Sequence, residues 1–326
     1  MQPLGRVNMI SLVVPLYRSE PNLDRLLPAL VKLGADLAPR PLEVVFVVDG
    51  SPDRCREILE ERLPSSGLRA TLVDLSRNFG SFSAIAAGLA QGSGDAFAVI
   101  AADLQEPPEL IVEFARALKN NEADICFGVR ASRSDPWLSE LASHSFWWLY
   151  RRFVLPEMPS GGVDIFGCTR AVRDRLLELP EVNTNLIALL FWLGFRRKFV
   201  PYHRQPRREG KSAWNLSRKL KYSLDSVFNF TDLPVQMLLL SGLAGALLAV
   251  TLAAVILVAR LTGSIQVPGY TPIVLTIMFF GGLTTFGLGI VGQYLWLTLR
   301  NARRRPNFIV RSVREFAGPS ETSRGS

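Results

Sequence analysis

Val235 to Ala259 contains no charged residue, and neither does Thr271 to Leu299. Each run is long enough to cross a bilayer, which takes roughly 20 apolar residues. A buried core helix is the alternative for either run, and the length argues against it. The loop between them, Arg260 to Tyr270, holds one Arg. The outer flanks hold Arg218, Lys219 and Lys221 on one side and Arg300, Arg303, Arg304 and Arg305 on the other. Basic flanks stay in the cytoplasm. The chain before the first run and the tail after the second are therefore expected on the cytoplasmic face of the cell (inner) membrane.

This divides the chain into four parts. Residues 1–211 form a cytoplasmic domain, 212–232 a juxtamembrane helix, 233–300 two transmembrane helices (235–259 and 271–299), and 301–326 a basic cytoplasmic tail. In the juxtamembrane part, Leu216, Leu220, Leu224, Val227 and Phe228 line one helix face. Arg218, Lys219, Lys221 and Asp225 take the other. An ordinary surface helix shows the same pattern; the place just before a span favours an interfacial helix. Paired spans also leave faces free for packing into a homo-oligomer.

Hydrophobic residues make up 48% of the chain, and the excess is concentrated in these runs. The net charge of +8 implies an anionic partner: nucleic acid, a phosphorylated substrate or a membrane surface. The basic residues gather beside the spans, which argues against nucleic acid. Cys55, Cys126 and Cys168 show no metal-type spacing and read as free buried thiols in a reducing compartment. Met1 to Asn8 is short and polar, unlike a signal peptide.

The first two-thirds alternate strand and helix. Strands are expected at Met9–Val14, stopping at Pro15, and at Leu42–Val48, Ala70–Leu75, Ala96–Ala101 and Asp124–Gly128. The helix from Pro21 has Leu23, Leu26, Leu27, Leu30 and Val31 as its apolar face. The one after Pro107-Pro108 has Leu110, Ile111, Phe114, Ala115 and Leu118. A small-residue helix spans Ser81 to Ala90. Repeated units of this length imply an α/β fold with a doubly wound, mostly parallel sheet. The order then loosens: an aromatic-rich helix over Trp137–Phe153, a strand or extended turn over Gly161–Phe166, and a short strand over Lys198–Tyr202.

The fourth strand runs out into Asp103, Gln105 and Glu106. In an open α/β sheet, ligands collect at the carboxyl ends of strands. A carboxylate and an amide placed there can hold a divalent cation, which can hold a diphosphate. Asp49 ends the second strand in the same way. Either Asp alone reads equally as a turn residue or helix cap. Two of them, with Asn78-Phe79-Gly80 between, suggest a site. Glycine fingerprints for dinucleotides and a Walker-type lysine loop are both absent, so a nucleotide here is held through carboxylates and metal. His144 and His203 read as neighbours of aromatic and basic residues rather than as ligands.

The runs Val13–Tyr17, Val48–Asp53, Arg77–Gly80, Ala87–Leu89 with Gly94-Asp95, Ala102–Gln105 with Pro107-Pro108, Gly128–Arg130 with Arg133, and Arg204–Trp214 stand in a specific order. Gly292–Tyr294 and Arg305-Pro306 close the series. In these the chain resembles the family 2 glycosyltransferases of the dolichol-phosphate mannose synthase and undecaprenyl-phosphate sugar transferase type. The resemblance implies a GT-A (Rossmann-like) domain that binds a nucleotide-diphosphate sugar and a divalent cation, Mg2+ or Mn2+. It places Pro15, Tyr17 and Asp49 near the base and ribose, with Glu20 and Asn78 as further substrate-binding positions. Asp103 and Gln105 fall where the family binds metal and diphosphate. Asp164 falls on an acidic position near the acceptor, where it orients the acceptor, carries a proton or is a plain turn residue. Arg130, Arg133, Arg204, Lys211, Ser212 and Trp214 fall where phosphates are gripped and the site closes. Two positions depart from the pattern. Ala101 stands where an Asp is frequent, and Arg18-Ser19 stands where Asn-Glu is frequent.

The chemistry is consistent with the residues. A lipid phosphate monoester is largely dianionic at neutral pH. Its oxygen is already a nucleophile, and the difficulty is repulsion between two anionic substrates. Arginines and a cation relieve it. The expected activity is inverting transfer of one sugar to a polyprenyl phosphate. A non-catalytic nucleotide-sugar-binding scaffold is the rival reading, with Ala101 as its support. A processive polysaccharide synthase is disfavoured by two spans and by the lack of a Gln-x-x-Arg-Trp motif.

Overall fold

The computed structural model describes residues 8–131, 157–159, 163, 165–179, 186–205, scattered positions between 236 and 262, 270–302 and 306–318. The chain divides into two compact units, Met1–Lys219 with Pro306–Ser326, and Leu220–Arg305.

The first unit is built on eight strands: β1 (Ile10–Leu16), β2 (Leu42–Val48), β3 (Arg69–Leu75), β4 (Ala96–Val99), β5 (Ile125–Arg130), β6 (Ile165–Thr169), β7 (Arg197–Tyr202) and β8 (Val310–Phe316). They form one sheet in the order β7-β5-β6-β4-β1-β2-β3-β8. The β4-β1-β2-β3 core is parallel throughout. All seven residues of β2 are buried, as befits a parallel strand covered on both faces. β6 runs antiparallel to both β4 and β5, while β5 and β7 are parallel. The sheet is α/β and mostly parallel, as expected.

Helices cover both faces. α1 (Leu23–Leu37) buries Leu23, Leu26, Leu27, Leu30, Leu33 and Leu37. Val31, expected on that face, is 44% exposed; its place falls to Leu33 and Leu37, which continue the 3.6-residue stripe. α2 (Cys55–Arg62) is anchored by Cys55 and Leu59. α3 (Ser81–Gln91) lies on β1 and β2, and an added Cβ at Gly88 would sit 2.3 Å from Val13 Cγ1 and 3.0 Å from Val47 Cγ2. That close approach is why a glycine stands inside this helix. α4 (Glu109–Lys119) buries all five residues expected of it. α5 (Arg170–Glu178) and α6 (Leu186–Trp192) follow β6.

Two differences from expectation have clear causes. β1 does not stop at Pro15 but runs through it to Leu16. The amide that proline lacks faces the β4 side, where pairing has already ended at Val13↔Val99. The tail, read from the sequence only as basic, supplies β8, which pairs antiparallel with β3 at the sheet edge.

In the second unit, α7 (Tyr270–Ala302) is 33 residues long. Among the described residues no helix is long and apolar enough to cross a membrane; side chains are described at only part of the α7 positions. Those described include Ile273, Ile277, Phe279, Phe286, Leu288 and Leu295, all more than half exposed. The hydroxyls of Thr284 and Thr298 donate to carbonyls one turn back, at 2.8 and 2.9 Å. Gly287 faces Leu238, and Gly245 faces Phe280 and Leu283. The span expected at 271–299 thus meets an α-helix. The span expected at 235–259 is described only at scattered positions, and the juxtamembrane helix 212–232 and the aromatic stretch 137–153 lie outside the described residues.

Filling the α3–sheet contact is a direct test of this packing. Gly88→Ala should cost about 1–3 kcal/mol through overpacking. The expected result is a lowered Tm in a thermal melt of the full chain.

Candidate active site

β1 has β2 on one side and β4 on the other, and the chain runs β1, β2, β3 in one direction before returning to β4. The strand order therefore switches between β1 and β4, the place where ligands of open α/β sheets gather. The register Leu16↔Val48, Val48↔Asp74 and Val13↔Val99 brings the turns after β1 to β4 to one edge. β5 and β7 run in the same direction as β4, because β6 reverses between them. Tyr17, Asp49, Asn78, Asp103, Arg130 and Arg204 all follow or end these strands and share that edge.

On the β1–β3 side, Pro15 is half-buried and Tyr17 is 44% exposed. Arg18 has φ of 52°, and its amide donates to Ser51 Oγ at 2.7 Å. Glu20 does not face this edge freely: its carboxylate accepts the Arg54 amide at 2.9 Å, at the start of α2. There it borders an open groove of about 790 Å³ with Arg18, Asp24, Asp53, Arg54 and Arg62. Within it Arg62 pairs with Asp24, and Asp53 accepts the Glu20 amide.

Asp49 is buried and accepts two backbone amides, Phe79 at 2.7 Å and Gly80 at 2.9 Å. Burial pushes its carboxyl above the usual carboxylate range, against the pull of those two amides and of the Arg77 charge. Gly50 follows with φ of +55°, and a Cβ there would lie 2.3 Å from the Arg77 carbonyl carbon. Only glycine fits both the backbone angle and the contact. Asp49 and Gly50 therefore shape the Arg77–Gly80 loop, which displays exposed Arg77 and Asn78, with the Arg77 guanidinium 4.0 Å from the Phe79 ring centre.

On the β4 side, Asp103 is half-buried in the turn, and Leu104 beside it has φ of 51°. A bulky residue in the left-handed region stores strain of about 1–3 kcal/mol, and such strain clusters at functional turns. Gln105 and Glu106 are buried. The Gln105 side chain donates to the Gln205 carbonyl at 3.4 Å and accepts from Arg204 Nη2. The Gln205 amide donates back to the Gln105 carbonyl at 2.9 Å, and Arg204 Nε lies 3.9 Å from Glu106. The exit of β7 is thus held against the acidic turn. Gln105 and Arg204, expected at metal and phosphate, touch each other. Arg130 ends β5, and the next amide, Ala131, donates to the Tyr202 carbonyl at 2.9 Å.

Arg133, Asp164, Lys211, Ser212 and Trp214 lie outside the described residues; Ile165, next to Asp164, opens β6 opposite Gly128 at this edge. Among the described residues no three His, Cys, Asp or Glu side chains converge as a metal cluster. Asp103 offers one carboxylate, enough for a cation that takes its other ligands from water and phosphate oxygens. Arg18, Leu104 and Glu106 went unassigned in the sequence reading. Glu106 follows Gln105 directly, but its burial against the β7 exit depends on a residue nearly a hundred positions away.

Asp49→Ala leaves two part-buried amides without their acceptor, at about 1 kcal/mol each. Asp49→Asn keeps one oxygen and should lose less. Hydrogen exchange at Phe79 and Gly80 should rise in the order wild type, Asn, Ala, with Tm falling in the same order; equal exchange in all three would remove this role.

The sequence model of Glycosyl transferase family 2 matches residues 11–178. An uncharacterized glycosyltransferase of Synechocystis is 32% identical over 92% of this chain and 94% of its own length. The undecaprenyl-phosphate 4-deoxy-4-formamido-L-arabinose transferase of Edwardsiella ictaluri is 29% identical over 98% of this chain and 99% of its own. The bactoprenol glucosyl transferase of Shigella phage SfV is 29% identical over 94% and 99%. Together with a mostly parallel α/β sheet whose carboxyl edge gathers the motif residues, this extent of similarity makes the chain a member of glycosyl transferase family 2.

Proposed function

We propose that this protein transfers a single sugar, with inversion, from a nucleotide-diphosphate sugar to a polyprenyl phosphate at the cytoplasmic face of the membrane. The observation that carries the reading is Asp103, half-buried beside strained Leu104 at the switch point of the sheet. Tyr17 and the Arg77–Gly80 loop stand at the same edge of the sheet, after β1 and β3. Two relatives aligned over more than nine-tenths of this chain are named for undecaprenyl-phosphate and bactoprenol substrates, which supports a lipid phosphate as acceptor.

On this reading Tyr17 and Asn78 contact the nucleotide, and Asp49 acts through the loop it holds. Asp103 would hold a divalent cation, Mg2+ or Mn2+, with Gln105, whose side chain meets Arg204 in this structure, as the second candidate ligand. When bound, such a cation would supply positive charge to offset that of the diphosphate. Arg130 and Arg204 at the same edge, with Arg133, Lys211, Ser212 and Trp214 from the segments expected to close the site, offset the charge of the incoming lipid phosphate. The phosphate oxygen attacks the anomeric carbon from the face opposite the departing diphosphate, so configuration inverts. Asp164 orients the acceptor. No strong base is needed, because the phosphate is already ionised.

Membrane attachment rests on the second unit. α7 exposes large apolar side chains along its length, while the hydroxyls of Thr284 and Thr298 bond within the helix. That is the arrangement lipid requires, with polar groups satisfied internally and apolar ones outside. We assign both charge-free runs as spans, with the basic flanks in the cytoplasm. Self-association through free helix faces completes the assignment.

The test uses purified full-length protein in lipid nanodiscs with undecaprenyl phosphate and a panel of nucleotide sugars. Wild type should form a lipid-linked monosaccharide. Asp103→Ala should lose about 100-fold or more in kcat/KM with little change in Tm, and chelation should abolish wild-type turnover. Undiminished transfer by the variant would sink the assignment of Asp103. Tight nucleotide binding without transfer to any lipid would point instead to a scaffold, the reading that Ala101 favours.

A further inference from the structure

We infer that the strand following α7 in the sequence is part of the donor site, and that Arg311 is a positioning residue for the nucleotide-binding loop. This rests on the reading that the carboxyl edge of the sheet holds a nucleotide-diphosphate sugar. The loop Ser76–Gly80 is fixed at its far end by Asp49 through the Phe79 and Gly80 amides. Its near end is fixed by the C-terminal segment. The Ser76 amide donates to the Ile309 carbonyl at 2.9 Å, and Arg311 Nη2 donates to the Ser76 carbonyl at 2.9 Å.

The geometry shows why Arg311 does this and its neighbours do not. β8 pairs in register from Ala70↔Phe316 to Asp74↔Ser312, and the register then shifts, with Leu75 opposite Val310. Arg311 is the extra residue of that irregularity. A bulge of this kind re-aims one side chain out of the alternating pattern. Its guanidinium spans the Ser76 carbonyl and Asp74 Oδ2, the latter at 3.4 Å. Asp74 is buried and also accepts from Arg56 Nη1 at 3.0 Å, so the anchor beneath Arg311 is fixed from α2. With both ends tied and Gly50 packed beneath Arg77, the loop has one backbone path. Its exposed residues, Arg77 and Asn78, are then preorganised for a ligand. Arg314 lies on the same strand and pairs with Glu60 at 3.3 Å. It touches no part of the loop in these contacts and separates strand stability from loop positioning.

The experiment compares Arg311→Ala, Arg311→Lys and Arg314→Ala in the full-length protein, reading UDP and GDP affinity, donor and acceptor KM, kcat and Tm. Arg311→Ala should weaken nucleoside-diphosphate binding and raise donor KM about tenfold, the scale of one hydrogen bond to a charged group. Acceptor KM should hold. Arg311→Lys, which keeps the charge and one donor, should recover part of the loss and serves as the readout if the alanine variant does not fold. Arg314→Ala should lower Tm and leave donor KM alone. Unchanged donor KM in both Arg311 variants, or an equal rise in Arg314→Ala, would overturn the inference, because β8 would then only cover the sheet edge. A wild-type chain that binds no nucleoside diphosphate would instead overturn the functional reading on which this rests.

Discussion

Parallel pairing of β4, β1, β2 and β3 is the constraint on which the site depends. Strands that run the same way must end on the same edge, whatever their order in the sequence. The pairing brings Tyr17, Asp49, Ser76 and Asp103 to one rim although they are spread over 87 positions of the chain. The hydrophobic burial that fixes the register is nearly complete along β1 and β2. A one-residue slip would turn buried side chains to the other face. The rim is therefore as well defined as the core beneath it.

Buried carboxylates then convert strand ends into shaped turns. Glu43, on β2, accepts the Ser93 amide at 2.8 Å and holds the turn before β4 at the opposite edge of the sheet. Arg170 and Arg173 donate to carbonyls of the same region. Asp49, at the other end of β2, holds the Phe79 and Gly80 amides. One strand thus carries an acid at each end, and each acid organises a turn belonging to another part of the chain. The two differ in what they support. The first closes the base of the sheet, and the second shapes the loop beside the crevice.

The strands and helices of the first unit were legible because local pattern and tertiary burial agree there. β2 matches its expected span residue for residue, and α4 buries the face that its spacing marks. Convergence of Asp49 and Asp103 on one edge was also legible, since it follows from parallel order alone. What could not be read were contacts between residues far apart in sequence. Asp49 looked like a ligand group, and its two oxygens are bonded to a neighbouring loop. Gln105 and Arg204 looked like separate site residues, and they hold each other. β8 was missed because Val310–Phe316 is a mixed run of charged and apolar residues whose only reason to be a strand is the open edge of β3. Leu104 gives no signal either; its backbone angle is imposed by the turn between a buried strand and the Pro107-Pro108 start of α4.

The charge around the crevice follows a simple electrostatic logic. On the proposed reading two anions, a diphosphate and a lipid phosphate, must approach within bonding distance of one carbon. Each fixed carboxylate on the rim adds to their repulsion unless a cation covers it. Asp49 and Glu106 are buried, with Asp49 bonded to amides and Glu106 lying near Arg204. Asp103 is half-buried in the acidic turn and accepts the Gln105 amide at 3.4 Å, while Arg18, Arg77, Arg130 and Arg204 stand at the same edge. Ala101 is exposed in the turn where an acid would add one more negative charge. On the proposed reading, an alanine where the family frequently has an acid would weaken cation binding and leave the rim more positive. The two effects have opposite consequences, and on that reading they would favour a metal that arrives with the diphosphate over one held by the protein alone.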